Sequence, residues 1–581
     1  MKQALIKFVT LIVVAFTAVA WISLSASANT LSEPFAAPNS TEIGYQSVLF
    51  QDQIPFEESF SWVGGTNAQN ANFVCSNISN IQKCPTLEKF AWHSIMGPCT
   101  SLDQMDCIQS ITALDSLGKE TEAVFESYTN PSHPNLWGQS LAHGIPEGKS
   151  ISLWKLPSSA GGSSGLMGVD IGQGNSIPAG GDLNNPLNGA TGNLGQSLWA
   201  YIAPVSITPE VPPKCIVPLL QFRGPKDCLS NSLDLPNANF CRDSGMHSWF
   251  NCFVNASANG NQNCFAHTEQ NNCVLMQSFL ADTKLRVNVR ISQEPNGWLH
   301  GRVGSPDITI KKLPTGYLLS VQGTSVIVPT LYYGNFWKDL PVQIQKDYSY
   351  CGEFKIYGGI CSYATSAFTP GTGDPFVRND RSVPTPWSED SISALRVWLP
   401  LVKDSATASP SLWSIRTLST PEMNGFSGCF SQGSGLKGMV STNATAYSQG
   451  PPSFTDGVLS YHVGAPHFNA DGSVFKGSYS LNMSSDVARC IYGFSKAPVR
   501  ATVEVITSDG ANSVATTAVN ESNGFLTMRA ENFTFSDPTI KIKISQDTAK
   551  QVKISISCSK GKLIKHITGA NPTCPSGYKK K

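Results

Sequence analysis

Histidines and carboxylates are the first places to look for chemistry, and here they are sparse and scattered. His462 and His467 lie in the run His462-Val463-Gly464-Ala465-Pro466-His467. Pro466 rules out the helical His-Glu-x-x-His arrangement that holds zinc. With Phe468, Asn469 and Asp471-Gly472 following, the stretch reads as a strand end and a turn. Gly161-Gly162-Ser163-Ser164-Gly165 has the Gly-x-Ser-x-Gly spacing of a hydrolase elbow, where a serine is exposed on a sharp strand-to-helix turn. It sits inside a Gly/Ser tract, with neither a strand before it nor a helix after it, and reads as a linker. Glycoside hydrolysis needs two carboxylates in acid and base or nucleophile roles. Glu57-Glu58 and Glu389-Asp390 are merely adjacent and read as solvated. Asp182, Asn184 and Asn185 have calcium-ligand chemistry, but a turn is the simpler reading. His133 and His143 flank Asn135-Leu136-Trp137-Gly138 without a visible partner. No Walker loop, dinucleotide fingerprint or Asp-x-Asp-x-Asp-Gly calcium loop occurs. The sequence therefore assigns no catalytic residue, no cofactor and no metal.

Aromatic residues are the remaining lead. Of the 12 tryptophans, Trp21 falls in the leader. Trp and Tyr faces stack on sugars, which makes glycans a candidate partner, although large aromatics more often fill cores.

The elements that must position such residues read as strands. Leu285-Arg286-Val287-Asn288-Val289-Arg290-Ile291 alternates strictly and buries one face. Asp307 to Leu313 and Gly316 to Val328 continue with short β-prone runs. Val499 to Ser545 holds further alternating runs, with Ser508-Asp509-Gly510-Ala511 as a hairpin turn. Ser101 to Leu114 is the best helix candidate, with Asp103 and Asp106 near its start. The expected fold class is mainly β: two to three disulfide-bonded β-sandwich-like domains with long loops, plus a small C-terminal hairpin.

Sixteen cysteines set the compartment: Cys75, Cys84, Cys99, Cys107, Cys215, Cys228, Cys241, Cys252, Cys264, Cys273, Cys351, Cys361, Cys429, Cys490, Cys558 and Cys574. Their even number and the absence of Cys-x-x-Cys favour disulfides in an oxidising exterior over zinc. Local spacing suggests the pairs 75–84, 99–107, 215–228, 241–252, 264–273, 351–361 and 558–574, which leaves 429–490. Lys2 and Lys7, an apolar run from Phe8 to Leu24, and Ala26-Ser27-Ala28 read as a signal peptide cleaved after Ala28, with an uncleaved anchor as the rival. No second run approaches the ~20 apolar residues of a membrane span.

The final residues stand apart. From Gln551 onward there are seven lysines and no acidic residue. Lys560, Lys562, Lys565, Lys579, Lys580 and Lys581 read either as contacts to anionic cell-envelope polymers or as a solvated basic end. The pattern Cys558-Ser559-Lys560-Gly561-Lys562 … Asn571-Pro572-Thr573-Cys574-Pro575-Ser576-Gly577-Tyr578-Lys579-Lys580-Lys581 resembles a C-terminal tail of exported actinobacterial proteins. Ser484 to Phe494, through Phe533-Thr534-Phe535, is similar to the β domain that precedes that tail. The resemblance covers the last quarter of the chain and implies a lineage and a compartment, with no activity to carry over.

The chain has 581 residues, of which 14% are charged, with 41 basic and 41 acidic side chains. A net charge of zero argues against nucleic-acid binding, which needs clustered cations against phosphates. The organisation reads as signal peptide 1–28, a flexible segment 29–44, and a β-rich domain 45–205 with a Gly/Ser/Asn-rich loop 158–193. A Cys-rich β domain 206–400, a β-sandwich-like domain 401–548 and a basic hairpin 549–581 follow. The expected function is that of a secreted or surface-associated, non-catalytic binding or envelope protein. The alternative is a secreted carbohydrate-polymer hydrolase whose site is assembled from residues distant in sequence.

Overall fold

The structure is a computed structural model. It describes residues 45–50, 61–66, 72–74, 89–115, 117–131, 135–137, 146–156, 165–178, 197–208, 228–229, 240–241, 264–345 (apart from 269, 271, 281 and 343), 379–382, 386–493 (apart from 420 and 421), 499–506, 512–513, 516–535, 539–546, 554–569 and 573–581. The expected leader and the stretches weighed at Glu57-Glu58, His133, His143, Gly161–Ser164 and Asp182–Asn185 lie outside these residues, as does the turn expected at Ser508–Ala511.

The chain is mainly β, with several sheets and three disulfides among the described residues. The elements that matter here are, in chain order, β1 (Lys89–Ile95), β2 (Cys107–Leu114), β3 (Leu166–Pro178), β4 (Ser197–Thr208), β5 (Lys284–Ile291), β6 (Gly297–Arg302), β7 (Gly304–Leu313) and β8 (Gly316–Thr324). Helix α1 (Glu389–Trp398) precedes β9 (Ser411–Thr417), β10 (Leu436–Thr442), β11 (Val458–Gly464) and β12 (Lys476–Ser484). Helix α2 (Ser485–Tyr492) leads to β13 (Val499–Ile506), β14 (Phe525–Thr534), β15 (Thr539–Gln546), β16 (Ile554–Lys560) and β17 (Leu563–Gly569).

One large sheet runs β1–β3–β4–β9–β6–β10–β12–β14. Its neighbours are antiparallel except for the parallel pair β6–β10. A smaller sheet, β7–β8–β5–β2, covers one face. Strand β5 shows why: Leu285, Val287, Val289 and Ile291 are all buried on one side, where they meet Leu198, Ala200 and Ile202 of β4 and Trp413 and Ile415 of β9. Each such side chain contributes roughly 1.5–3 kcal/mol by leaving water. On the opposite face, β11, β15 and β13 form a third sheet over the other end. There Leu459, Val463, Val505, Ile540 and Ile542 pack on Trp298, Val440, Leu481 and Met528.

The segment expected to be helical, Ser101 to Leu114, is instead strand β2 from Cys107 onward. Ile108, Ile111 and Thr112 are β-branched and suit a pleated, buried surface. Asp106 caps no helix, because its carboxylate accepts the backbone and hydroxyl hydrogens of Ser292 just beyond β5. The large sheet also crosses the expected boundaries at 205/206 and 400/401, since it draws β4, β6 and β9 from all three segments. Those boundaries do not separate independent sheets. Non-local strand pairing leaves no composition shift for a sequence reading to detect.

Disulfides join Cys99 to Cys107, Cys429 to Cys490 and Cys558 to Cys574. The side chains of the other ten cysteines lie outside the described residues. No helix among the described residues is long and apolar enough to cross a membrane.

Candidate functional site

Three neighbouring strands of the large sheet place polar side chains on the face turned away from the β7–β8–β5–β2 sheet. In the ladder, Arg416 of β9 stands between Trp199 of β4 and His300 of β6. One step along, Ser414 stands between Tyr201 and Arg302. Directly opposed residues share a face, and side chains two apart share it again. The alternation that sends Trp413 and Ile415 into the core therefore sends Ser414 and Arg416 the other way. The polar patch lies between two apolar clusters, one built on Trp199, Val205 and Phe265 and the other on Trp298 and Tyr461.

Tyr447 closes the patch from above. Its ring stacks on His300 at 4.2 Å with planes 5° apart, and the Arg302 guanidinium carbon sits 4.8 Å from the ring centre. Its backbone N–H donates to Pro386 O at 2.9 Å, which ties it to the chain entering α1. Ser388 caps α1 by accepting the Ser391 N–H at 3.0 Å, and this fixes Pro386 and Trp387 above the patch. A recess of about 20 Å³ results, lined by Trp387 and Ser414 as well as by the residues above.

The charges are anchored. Arg302 is buried and donates to Thr442 O and Ala444 O, both at 2.7 Å. Arg416 donates through both terminal nitrogens to the two oxygens of Glu422, each at 2.7 Å, and keeps a quarter of its side chain exposed. Glu422 is itself buried and also accepts the backbone N–H and hydroxyl of Ser419. His300 is 3% exposed, and its Nε2 has no hydrogen-bond partner among the described residues. Burial, and then the charges of Arg302 and Arg416, hold this imidazole well below its ordinary pKa and keep it neutral.

A second cluster adjoins the first. Glu389, in the first turn of α1, accepts Ser448 Oγ at 2.8 Å and meets His462 Nδ1 at 3.0 Å. The hydrogen bond from His462 holds the Glu389 carboxyl below the usual range. These are the residue types of a nucleophile triad in the wrong order. A triad serine must donate to the histidine, with the acid behind that histidine. Here Ser448 donates to the acid and accepts the His462 backbone N–H at 2.8 Å. Glu389, read from the sequence as solvated, thus joins a side-chain network with Ser448 and His462. His467 hydrogen-bonds Phe535 O through Nδ1 at 2.9 Å, well placed in a turn and apart from His462's partners. No group of three or more His, Cys, Asp or Glu residues suited to a metal occurs among the described residues.

The basic tail forms a third feature. β16 pairs with β17 and with Lys579–Lys580, and Cys558 is bridged to Cys574. Lys565 and Lys580 flank Cys558 across the ladder, while Ile564 and Lys579 flank Ser559 on the other face. Lys560, Lys562, Lys565, Lys579, Lys580 and Lys581 are all exposed. Lys565 Nζ lies 5.2 Å from the Tyr578 ring centre, and Leu563 and Ile564 are exposed beside it.

His300, Arg302, Arg416, Tyr447 and Trp387 escape a motif search because they lie far apart in sequence. The readable signal is local: polar side chains alternate with apolar or small residues in Leu299-His300-Gly301-Arg302 and Trp413-Ser414-Ile415-Arg416.

No protein family, curated protein or solved structure matches the chain.

Proposed function

We propose that the chain is an exported binding protein, acting without catalysis and held to anionic cell-envelope polymers by its basic C-terminal unit. One observation carries this reading: six lysines are exposed on both faces of a disulfide-closed three-strand unit, in a stretch with no acidic residue from Gln551 onward. A unit this small buries little apolar surface, so the bridge is what lets it present lysines as a fixed array. Near an anionic surface each lysine contributes about 1 kcal/mol, and the field decays over roughly 8 Å at physiological salt. The likeness of this tail to tails of exported actinobacterial proteins supports the same compartment, and so do the disulfides. A glycan scaffold that carries anionic groups fits the contact.

The test compares the full exported chain with one lacking residues 551–581, and with a variant in which the six lysines are glutamine. The full chain is expected in the cell fraction at low salt and in the wash at about 1 M salt, where screening is nearly complete. Both altered chains are expected in the medium. A tail-deleted protein that stays with the cells at low salt overturns the proposal.

A further inference from the structure

The C-terminal unit ends in a tip that charge alone does not explain. Strand β16 turns into β17 through Gly561 and Lys562, and Gly561, at φ 60°, takes the first central position that a type II′ turn keeps for glycine. Leu563 and Ile564 follow at once, 66% and 51% exposed. They are the only adjacent pair of exposed large apolar side chains among the described residues. Single exposed apolar residues are ordinary, whereas a pair at the end of a hairpin calls for a partner.

The register fixes how that partner is met. Successive strand residues point to opposite faces, so Leu563 and Ile564 cannot both lie flat on one surface. Both are covered only when the tip enters end-on. A lysine stands beside each: Lys560 opposes Leu563 across the ladder, and Lys579 opposes Ser559, which also opposes Ile564. Lys562 lies in the turn itself. Two residues rise about 7 Å along a strand, which matches the roughly 5–10 Å to which interfacial segments sink below head groups. Lysine stems are long enough to keep their charges at head-group level while the tip goes deeper.

These features separate two kinds of anionic partner. A soluble polymer of phosphates or carboxylates satisfies the lysines and leaves Leu563 and Ile564 in water. A bilayer with anionic head groups satisfies both, because its surface potential draws the lysines and its interior takes the apolar pair.

We propose that the tip of the β16–β17 hairpin inserts end-on into an anionic phospholipid bilayer, with Leu563 and Ile564 reaching the acyl boundary and Lys560, Lys562 and Lys579 on the lipid phosphates. This rests on the reading that the basic unit faces the envelope, and adds to it a second, apolar contact.

The test is sedimentation of the full, disulfide-intact chain with vesicles of phosphatidylglycerol and phosphatidylcholine, in parallel with its retention on cells. The wild type is expected to bind the mixed vesicles and to leave pure phosphatidylcholine unbound. Replacing both residues, Leu563→Ser with Ile564→Ser, is expected to weaken vesicle binding about tenfold or more, since each aliphatic side chain taken out of water approaches that factor. Leu563→Trp gives a readout of depth. The last native tryptophan is Trp413, so quenching by brominated acyl chains is expected in this variant beyond that of the wild type. Wild type that stays on cells but leaves the mixed vesicles unbound overturns the lipid contact while the polymer contact stands. Equal vesicle binding by the double serine variant also overturns it, as does quenching of Leu563→Trp no greater than that of the wild type. Loss from both cells and vesicles overturns the basic-tail reading together with this one.

Discussion

His300 is buried as a neutral ring between two cations, and this has a consequence that can be measured. Its folded pKa lies well below the ordinary value of 6.5, so below that pH the unfolded chain binds a proton that the folded chain refuses. Stability therefore rises with pH through this window and falls as pH drops below about 6.5, by at most about 1.4 kcal/mol per unit. His300→Gln removes the titration. Urea unfolding at pH 7 and pH 5 is expected to show a larger loss for the wild type than for the variant, and equal losses would refute the buried-neutral assignment. Glu389 acts in a separate window. Its depressed pKa contributes stability that is present above the ordinary carboxylate value and lost only at more acidic pH. At this scale the sequence was least legible: His300, Arg416 and Tyr447 are ordinary residues until the ladder brings them together.

Elements were more readable where a single periodicity decided them. The alternation from Leu285 to Ile291 became β5 with every expected side chain buried, because one face needs only its own pattern to find a core. Helix α1 went unread although its signals are present: Ser388 before Glu389 and Asp390, then buried Ile392, Leu395 and Trp398 at helical spacing. The adjacent acids belong to the favourable N-terminal turn. β2 was misread because acids near an apolar run imitate a helix start, whereas Asp106 was answering Ser292 across the sheet. Close approach between elements is a further constraint that only the fold reveals. At Gly172 in β3, an added Cβ would run into the Trp199 ring and the Ser94 carbonyl. Gly172→Ala is expected to destabilise by about 1–3 kcal/mol, the cost of overpacking, and to disturb the same Trp199 that adjoins Arg416 in the ladder. Chemical denaturation with tryptophan fluorescence checks both effects.

Across the whole molecule, the mainly β, disulfide-bonded fold class was legible from cysteines and strand patterns, while the sheet that unites the expected segments was not. Cys429 and Cys490 span 61 residues of the far half, bringing α2 beside the Gly428–Phe430 turn. Replacing both with serine is expected to cost about 2–4 kcal/mol, read as a lowered denaturation midpoint. A midpoint unchanged from wild type would mean that the packing alone fixes this contact. The order of the large sheet has a different consequence. Strands β4 and β6 are both made well before β9, the strand that lies between them. Until residue 417 has emerged, their facing edges have no partner within the chain, and open edges recruit strands from other molecules. Pairing across such long separations is also slow to form. The nascent chain therefore carries two open strand edges until β9 is made, and chains cut short before β9 are expected to aggregate.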